Sequence, residues 1–305
     1  MSMTTDAENI LIDWDFDGTI ANTETDWHYV LKAYLSTFFN VPESKLARLT
    51  QDVYLKGFSG LSMMDCLEKS ITLGFFDKQQ LEHMPSKEET KKFILDYFLK
   101  CLQKDEMLAK VKKHKYTTGT YELINELQTA KINQHITSAA EHSTLLVNAQ
   151  VMAKIVPHGE PNAIAEWISD DNVISCHDGE NADNQDILQK LNKIYTDNEL
   201  NYCKPSPIVH LLSLVKATKD GKKIEKIIIP EDSVAGVISG HNFAEFLSKK
   251  EFANDRQKLG LKDNIKVIVV GYLCGEVKRT EEELLQSGAN LVVKIANDLK
   301  KIVFD

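Results

Sequence analysis

Arginine is nearly absent from this chain: Arg48, Arg256 and Arg279 are the only three among the 36 Lys+Arg of 305 residues. Bidentate guanidinium forks on phosphate are therefore few, and an anion site here has to rest on lysine or on backbone amides. Positive charge is also outweighed, with 45 Asp+Glu giving a net charge of -9. That balance repels phosphodiester backbones and argues against nucleic acid and basic membrane-surface binding, while it suits divalent cations. The five cysteines (Cys66, Cys101, Cys176, Cys203, Cys274) are odd in number, widely spaced and free of any CxxC pair. A disulfide framework and a zinc knuckle are both disfavoured by this spacing, and a reducing cytoplasm fits it. No segment approaches the roughly 18 uninterrupted apolar residues of a membrane span, and residues 1–9 lack a basic stretch followed by an apolar run. The expectation is a soluble cytoplasmic protein.

What is present is enough chain for about two domains, with 43% hydrophobic residues to fill their cores. Ile10-Leu11-Ile12 opens an apolar run that ends in Asp15-Phe16-Asp17-Gly18-Thr19, a strand followed by a turn. From Trp27 to about His114 the period is helical. Trp27, Val30, Leu31, Tyr34 and Phe38 share one face, and Phe93, Ile94, Tyr97, Phe98 and Cys101 another. Ser86 to Glu89 form a capping box at the start of the second of these helices. After Gly119 helices and strands alternate: helix 121–127, strand 132–137, helix 143–152, helix 207–214, strand 227–229, strand 267–270. A helix capped by Thr280 and Glu283, the strand 291–293 and a short terminal helix follow. Alternation of this kind implies a parallel sheet covered on both faces.

The expected architecture is α/β, a Rossmann-like doubly wound parallel sheet formed by residues 1–23 and 114–305, with an all-helical cap of residues 24–113 inserted after the first strand. Two stretches, near 153–192 and 241–264, are read as solvated insertions because they are rich in charge and lie between core elements.

Four segments combine an apolar run or turn with polar groups at the ends of strands, where open α/β sheets bind ligands. They are Asp15 to Thr19, Thr137-Ser138, Lys204-Pro205 and Glu231-Asp232-Ser233. Taken singly, each is a common turn, helix start or N-cap. Taken together and in this order, they describe a site for phosphate and Mg²⁺: carboxylates for metal, nucleophile and proton transfer, with a hydroxyl and a lysine for the anion. Cys176-His177-Asp178 is a weak metal signal, since consecutive strand residues do not face one ion and no matching cluster has suitable spacing. His28, His142 and His241 are read as packed or solvated.

In this order the four segments resemble the haloacid dehalogenase superfamily, in particular its phosphatase branch with a helical cap, and the resemblance covers nearly the whole chain. Asp15 to Glu24 is similar to the first motif, Ile136 to Ala139 to the second, Lys204 to Pro207 to the third and Glu231 to Gly236 to the fourth. The resemblance implies Asp15 as nucleophile and Asp17 as general acid/base. It implies phosphate binding by Thr137 or Ser138, with Ser138 preferred, and by Lys204. Mg²⁺ would be held by Asp15, Asp17 through its backbone carbonyl, Glu231 and Asp232. The Gly18-Thr19 after Asp17 selects Asp15 over Asp13 as nucleophile, although Asp13 sets a charge inside the strand. The 66 residues from Ser138 to Lys204 exceed the family's usual spacing.

The activity implied is hydrolysis of a small phosphorylated metabolite. The stretch from Gly60 to Leu67 resembles the cap's specificity loop, with Met63 and Met64 where sugar-phosphate mutases tend to place a basic residue, which favours a phosphatase over a phosphomutase. The remaining alternative is a catalytically weak binding protein on the same fold.

Overall fold

The computed structural model describes residues 7–58, 63–103, 117, 119–140, 142–155, 167–169, 171–196, 202–275 and 279–304. The Gly60–Ser62 part of the expected specificity loop lies outside them. Six strands form one sheet: β1 (Ile10–Trp14), β2 (Asn133–Ser138), β3 (Val173–Ser175), β4 (Lys226–Glu231), β5 (Lys266–Tyr272) and β6 (Leu291–Val293). Their order is β3-β2-β1-β4-β5-β6, and every neighbouring pair is parallel. The doubly wound α/β architecture expected from the alternation is therefore present.

Strand periodicity explains the two-sided core. Ile12, Trp14, Ile136 and Ile228 face one cluster, where they meet helices α6 (Thr120–Thr129), α7 (His142–Ile155) and α13 (Ala296–Phe304). Leu11, Ile227 and Ile229 face the other, against α8 (Gln185–Thr196), α9 (Ile208–Lys219) and α10 (Val234–Ser248). Each such side chain taken wholly out of water stabilises the fold by about 1.5–3 kcal/mol. A central strand buried on both faces has to read as a continuous apolar run, and the exception in β1 is Asp13.

Asp13 is fully buried on the face toward α9. Its carboxylate accepts a hydrogen bond from Ser213 Oγ at 2.5 Å and lies 3.3 Å from His210 Nδ1, while His135 Nδ1 is 2.8 Å from the same Ser213 hydroxyl. Three polar residues from β2 and α9 thus take the place of water around the charge. Burial holds the pKa of both His135 and His210 below the ordinary histidine value, against the opposing pull of Asp13.

Between β1 and α6 the described chain is helical: α1 (Glu24–Phe39), α2 (Glu43–Leu46), α3 (Gln51–Gly57), α4 (Met63–Thr72) and α5 (Lys87–Gln103), with a 3₁₀ turn at Lys78–His83. Leu31, Leu35, Leu49, Phe58 and Phe75 form a core of their own. A second apolar seam joins Val30, Phe98 and Cys101 to Val147 and Val151 of α7. The capping box before α5 is formed, Ser86 N donating to Glu89 Oε2 at 2.8 Å and Glu89 N to Ser86 Oγ at 3.2 Å. The box at Thr280 and Glu283 closes in the same way before α12 (Glu281–Gln286).

Three expectations require correction. The stretch near 153–192 is not simply solvated: it supplies the edge strand β3 and the buried Ile187, Leu188 and Leu191 of α8. Of its described Asp and Asn residues, Asp171, Asn172 and Asp183 lie in turns or bends and Asp186 on the exposed face of α8, whereas Asn192 of α8 is buried. The stretch near 241–264 begins inside α10, which runs unbroken to Ser248, and includes the short helix α11 (Ala253–Lys258); Phe243, Phe246 and Phe252 are buried core residues. Finally, the cysteines are not all unpaired, because Cys176 and Cys203 are joined in a disulfide. Among the described residues no helix is long and apolar enough to cross a membrane.

Candidate active site

The strand order reverses between β1 and β4, so the connections leaving their C-terminal ends run to opposite sides and open a crevice there. Asp15 follows β1 directly, and Glu231 and Asp232 end and follow β4. Asp15 N donates to Pro230 O at 3.3 Å, which keeps the two strand ends together. Ligand oxygens of Asp15, Glu231 and Asp232 all lie within 4.8 Å of one another, and all three residues are buried.

Lys204 reaches this group from 189 residues away. Its Nζ lies 2.6 Å from Asp15 Oδ1 and 2.5 Å from Glu231 Oε1, and it donates to Thr137 O at 3.0 Å. Burial works against the charge on Lys204, but the Asp15 and Glu231 carboxylates, both hydrogen-bonded to it, outweigh burial and hold its pKa above the ordinary lysine value. Burial raises the Glu231 pKa, with repulsion from Asp15 adding to the rise and Lys204 opposing it. Lys204 is paired with two of the three carboxylates, and Glu231 Oε2 is buried without a hydrogen-bond partner among the described residues. An orphaned carboxylate oxygen in an all-oxygen group is the donor set a hard divalent cation takes.

Two glycines are required by those carboxylates. A Cβ on Gly18 would stand 2.2 Å from Asp232 Oδ2, and the residue has φ +87°. A Cβ on Gly236 would stand 1.8 Å from Glu231 Oε2. Gly236 lies in the first turn of α10, whose N-cap Ser233 accepts from Gly236 N at 3.0 Å. The cap and the glycine together seat the helix start against Glu231.

Asp17 points elsewhere. After β1 the chain folds into a tight loop, with Gly18 N donating to Ala21 O at 2.7 Å and Ala21 N to Phe16 O at 3.0 Å. This brings the Thr23 hydroxyl onto Asp17 Oδ1. Burial pushes the Asp17 carboxyl up to about 6, helped by the nearby Asp15 charge and opposed by hydrogen bonds from Thr23 and Trp27. The Asp17 side chain is thus absent from the carboxylate group formed by Asp15, Glu231 and Asp232, and its proton affinity suits donation and acceptance near neutral pH.

At the end of β2, the two candidate hydroxyls differ. Thr137 Oγ1 lies 3.5 Å from Trp14 O and is turned back into the sheet, whereas Ser138 Oγ accepts from Ala140 N at 3.1 Å in the loop beyond it. Thr23, Trp27, Gly18 and Gly236 escaped sequence reasoning as site residues. The signal for Thr23 was its position in the motif's own loop, six residues after Asp17; for Gly236 it was a glycine in the first helical turn after an acidic pair. A cavity of about 520 Å³ lies apart from this group, beside β3 and α9, lined by residues such as Ile174, Leu188 and Lys216. Of the histidines, His28 is buried with Nε2 2.6 Å from Leu49 O, and His142 Nδ1 is 3.8 Å from Asp178, so neither enters the group.

No family model matches the chain, and no curated protein does. Solved structures do. A predicted phosphoglycolate phosphatase from Haemophilus somnus aligns over 99% of this chain and 99% of its own, with a TM-score of 0.54 and 12% identity. A HAD family hydrolase from Deinococcus radiodurans, solved with bound phosphate and sodium, aligns over 98% of this chain and 96% of its own with a TM-score of 0.51 and 16% identity. A HAD hydrolase, family IA, variant 3, from Entamoeba histolytica aligns over 96% of both chains, with a TM-score of 0.52 and 19% identity. At these identities the likeness is one of fold, and the fold is that of haloacid dehalogenase-type hydrolases and phosphatases.

Proposed function

We propose that this chain, built on the haloacid dehalogenase-type fold, is a Mg²⁺-dependent phosphomonoester hydrolase acting on a small phosphorylated metabolite in the cytoplasm. The observation that carries the reading is the meeting of Asp15, Lys204, Glu231 and Asp232 at the reversal of strand order, with Asp17 beside them on its own hydrogen bond. The work divides among these groups. Asp15 attacks phosphorus, the bond to the leaving oxygen breaks, and Asp17 gives its proton to that oxygen. Water next attacks the aspartyl-phosphate, Asp17 takes its proton, and the bond between Asp15 and phosphorus breaks. Lys204 and the Ser138 loop hold the equatorial oxygens where charge accumulates.

Asp15, Glu231, Asp232 and the backbone carbonyl of Asp17 would hold the cation, which screens the repulsion between carboxylate and phosphate when bound. The helices of residues 24–113 serve as a cap over a core made of 1–23 and 114–305, and choose the substrate by closing over the crevice.

The test is release of inorganic phosphate from a panel of phosphorylated sugars, nucleotides and an aryl phosphate, with and without Mg²⁺, for the parent protein and Asp15→Asn. Mg²⁺-dependent release that Asp15→Asn abolishes is expected. Metal-independent turnover, full activity in Asp15→Asn, or transfer of phosphate between sugar positions without release refutes the reading.

A further inference from the structure

Cys203 immediately precedes Lys204, and its disulfide partner Cys176 immediately follows β3. Their Cα atoms are 4.9 Å apart, within the range that a disulfide spans without backbone movement. Both sulfurs lie against one backbone carbonyl, Cys176 Sγ 3.3 Å and Cys203 Sγ 3.9 Å from Ala139 O. Ala139 follows Ser138, and Ser175 Oγ donates to the next carbonyl, Ala140 O, at 2.7 Å. The bridge therefore fastens the lysine segment to the end of β3 and sets it against the loop that follows Ser138 at the end of β2.

The pair has the features of exchange chemistry. His177 has a ring nitrogen within 4.8 Å of the cysteine sulfurs, with its Nδ1 3.1 Å from Glu180 Oε1, so a polar proton-exchanging group stands beside the pair. Cys203 is half-exposed and Cys176 is buried, so an incoming reagent meets Cys203 first. The same three residues form a possible metal group, but a structural metal takes four ligands, and here the two sulfurs are bonded to each other.

We propose that Cys176 and Cys203 are a covalent modification site for a disulfide of the glutathione class, and that their bridge clamps Lys204 in the phosphate site. The second half of this rests on the reading of Lys204 given above. The Cys203 thiolate attacks a sulfur of RSSR, forming a mixed disulfide and releasing one RS⁻. The Cys176 thiolate then attacks the Cys203 sulfur, closing the intramolecular bridge and releasing the second RS⁻. Two electrons pass from the cysteines to the reagent, and the two thiol protons go to solvent. In the reduced protein the segment bearing Lys204 loses its tether, and small displacements of a charged group at a phosphoryl site have large effects.

The experiment equilibrates the full chain in reduced and oxidised glutathione, maps peptides under non-reducing conditions, and titrates each form with inorganic phosphate in Mg²⁺. A linked Cys176–Cys203 peptide is expected in the oxidised form, with Cys66, Cys101 and Cys274 remaining thiols. Phosphate affinity should fall by about tenfold on reduction. Cys176→Ser and Cys203→Ser should match the reduced parent in both buffers. Absence of the linked peptide, equal affinity in both forms, or stoichiometric zinc in the purified protein overturns the proposal. A protein that links the pair and changes its phosphate affinity, yet hydrolyses no ester, supports the clamp and refutes the hydrolase reading alone.

Discussion

Replacing Asp17 by Asn should stabilise the metal-free protein while removing most of its activity. The Asp17 carboxyl is raised from its usual 3.8 to about 6, chiefly by burial. At about 1.4 kcal/mol per tenfold change in proton affinity, keeping it ionised disfavours the folded state by about 3 kcal/mol at neutral pH. Asparagine keeps an acceptor oxygen for the Thr23 hydroxyl, but its amide donors lack an evident partner, which subtracts about 1 kcal/mol. A net gain of about 2 kcal/mol should remain.

The sign of the pH dependence follows from the direction of the shift. The folded state binds the proton more tightly than the unfolded state, so the parent regains stability as pH falls through about 6 toward the unfolded value, and the advantage of Asp17→Asn closes over that interval. Urea unfolding of both proteins in chelator, from neutral pH down to about pH 4, reads this directly. An Asn variant no more stable than the parent at neutral pH, or a difference that does not change with pH, would refute burial as the cause of the raised pKa. Loss of kcat/KM on an aryl phosphate by a factor on the order of 10²–10⁴ should accompany the gain.

Thr23→Val removes the hydrogen bond that lowers the Asp17 pKa. The acid form then persists to higher pH, and the alkaline limb of the kcat/KM profile should move upward; a limb that stays or moves down contradicts the Thr23 contact. Lys204→Met leaves Asp15 and Glu231 without their buried counter-charge and should lower stability by about 3–5 kcal/mol in chelator, with partial recovery in Mg²⁺. Equal urea midpoints for variant and parent would be inconsistent with the ion pairs. Gly236→Ala drives a Cβ toward Glu231 Oε2 and should lower stability by about 1–3 kcal/mol and weaken Mg²⁺ binding measured by calorimetry. Unaltered Mg²⁺ affinity would show that Glu231 does not help to hold the ion.

Short-range physics is what sequence reasoning reads well, and the correct expectations here are of that kind. The strand before Asp15, the helical faces around Trp27 and Phe98, the capping boxes at Ser86 and Thr280, and the alternation after Gly119 each depend on residues a few positions apart. The edge strand β3 is not legible in sequence because its three residues, Val173 to Ser175 after a run of Asp and Asn, include only two apolar ones, too few for a period. The continuation of α10 beyond His241 was missed because its charged tail resembles a solvated insertion, although Phe243 and Phe246 face the core.

The sequence by itself determined the class of fold, the acidic motifs and the order in which they occur, because each is written in contiguous residues whose chemistry is local. Tertiary structure decided everything that depends on separations of tens to hundreds of residues. It brings Lys204 onto Asp15 and Glu231, and surrounds the Asp13 carboxylate with His210 and Ser213. It also joins Cys176 to Cys203. Pairings of that range carry no pattern along the chain, since what selects them is the packing of a parallel sheet whose crossovers bring distant strand ends to one edge.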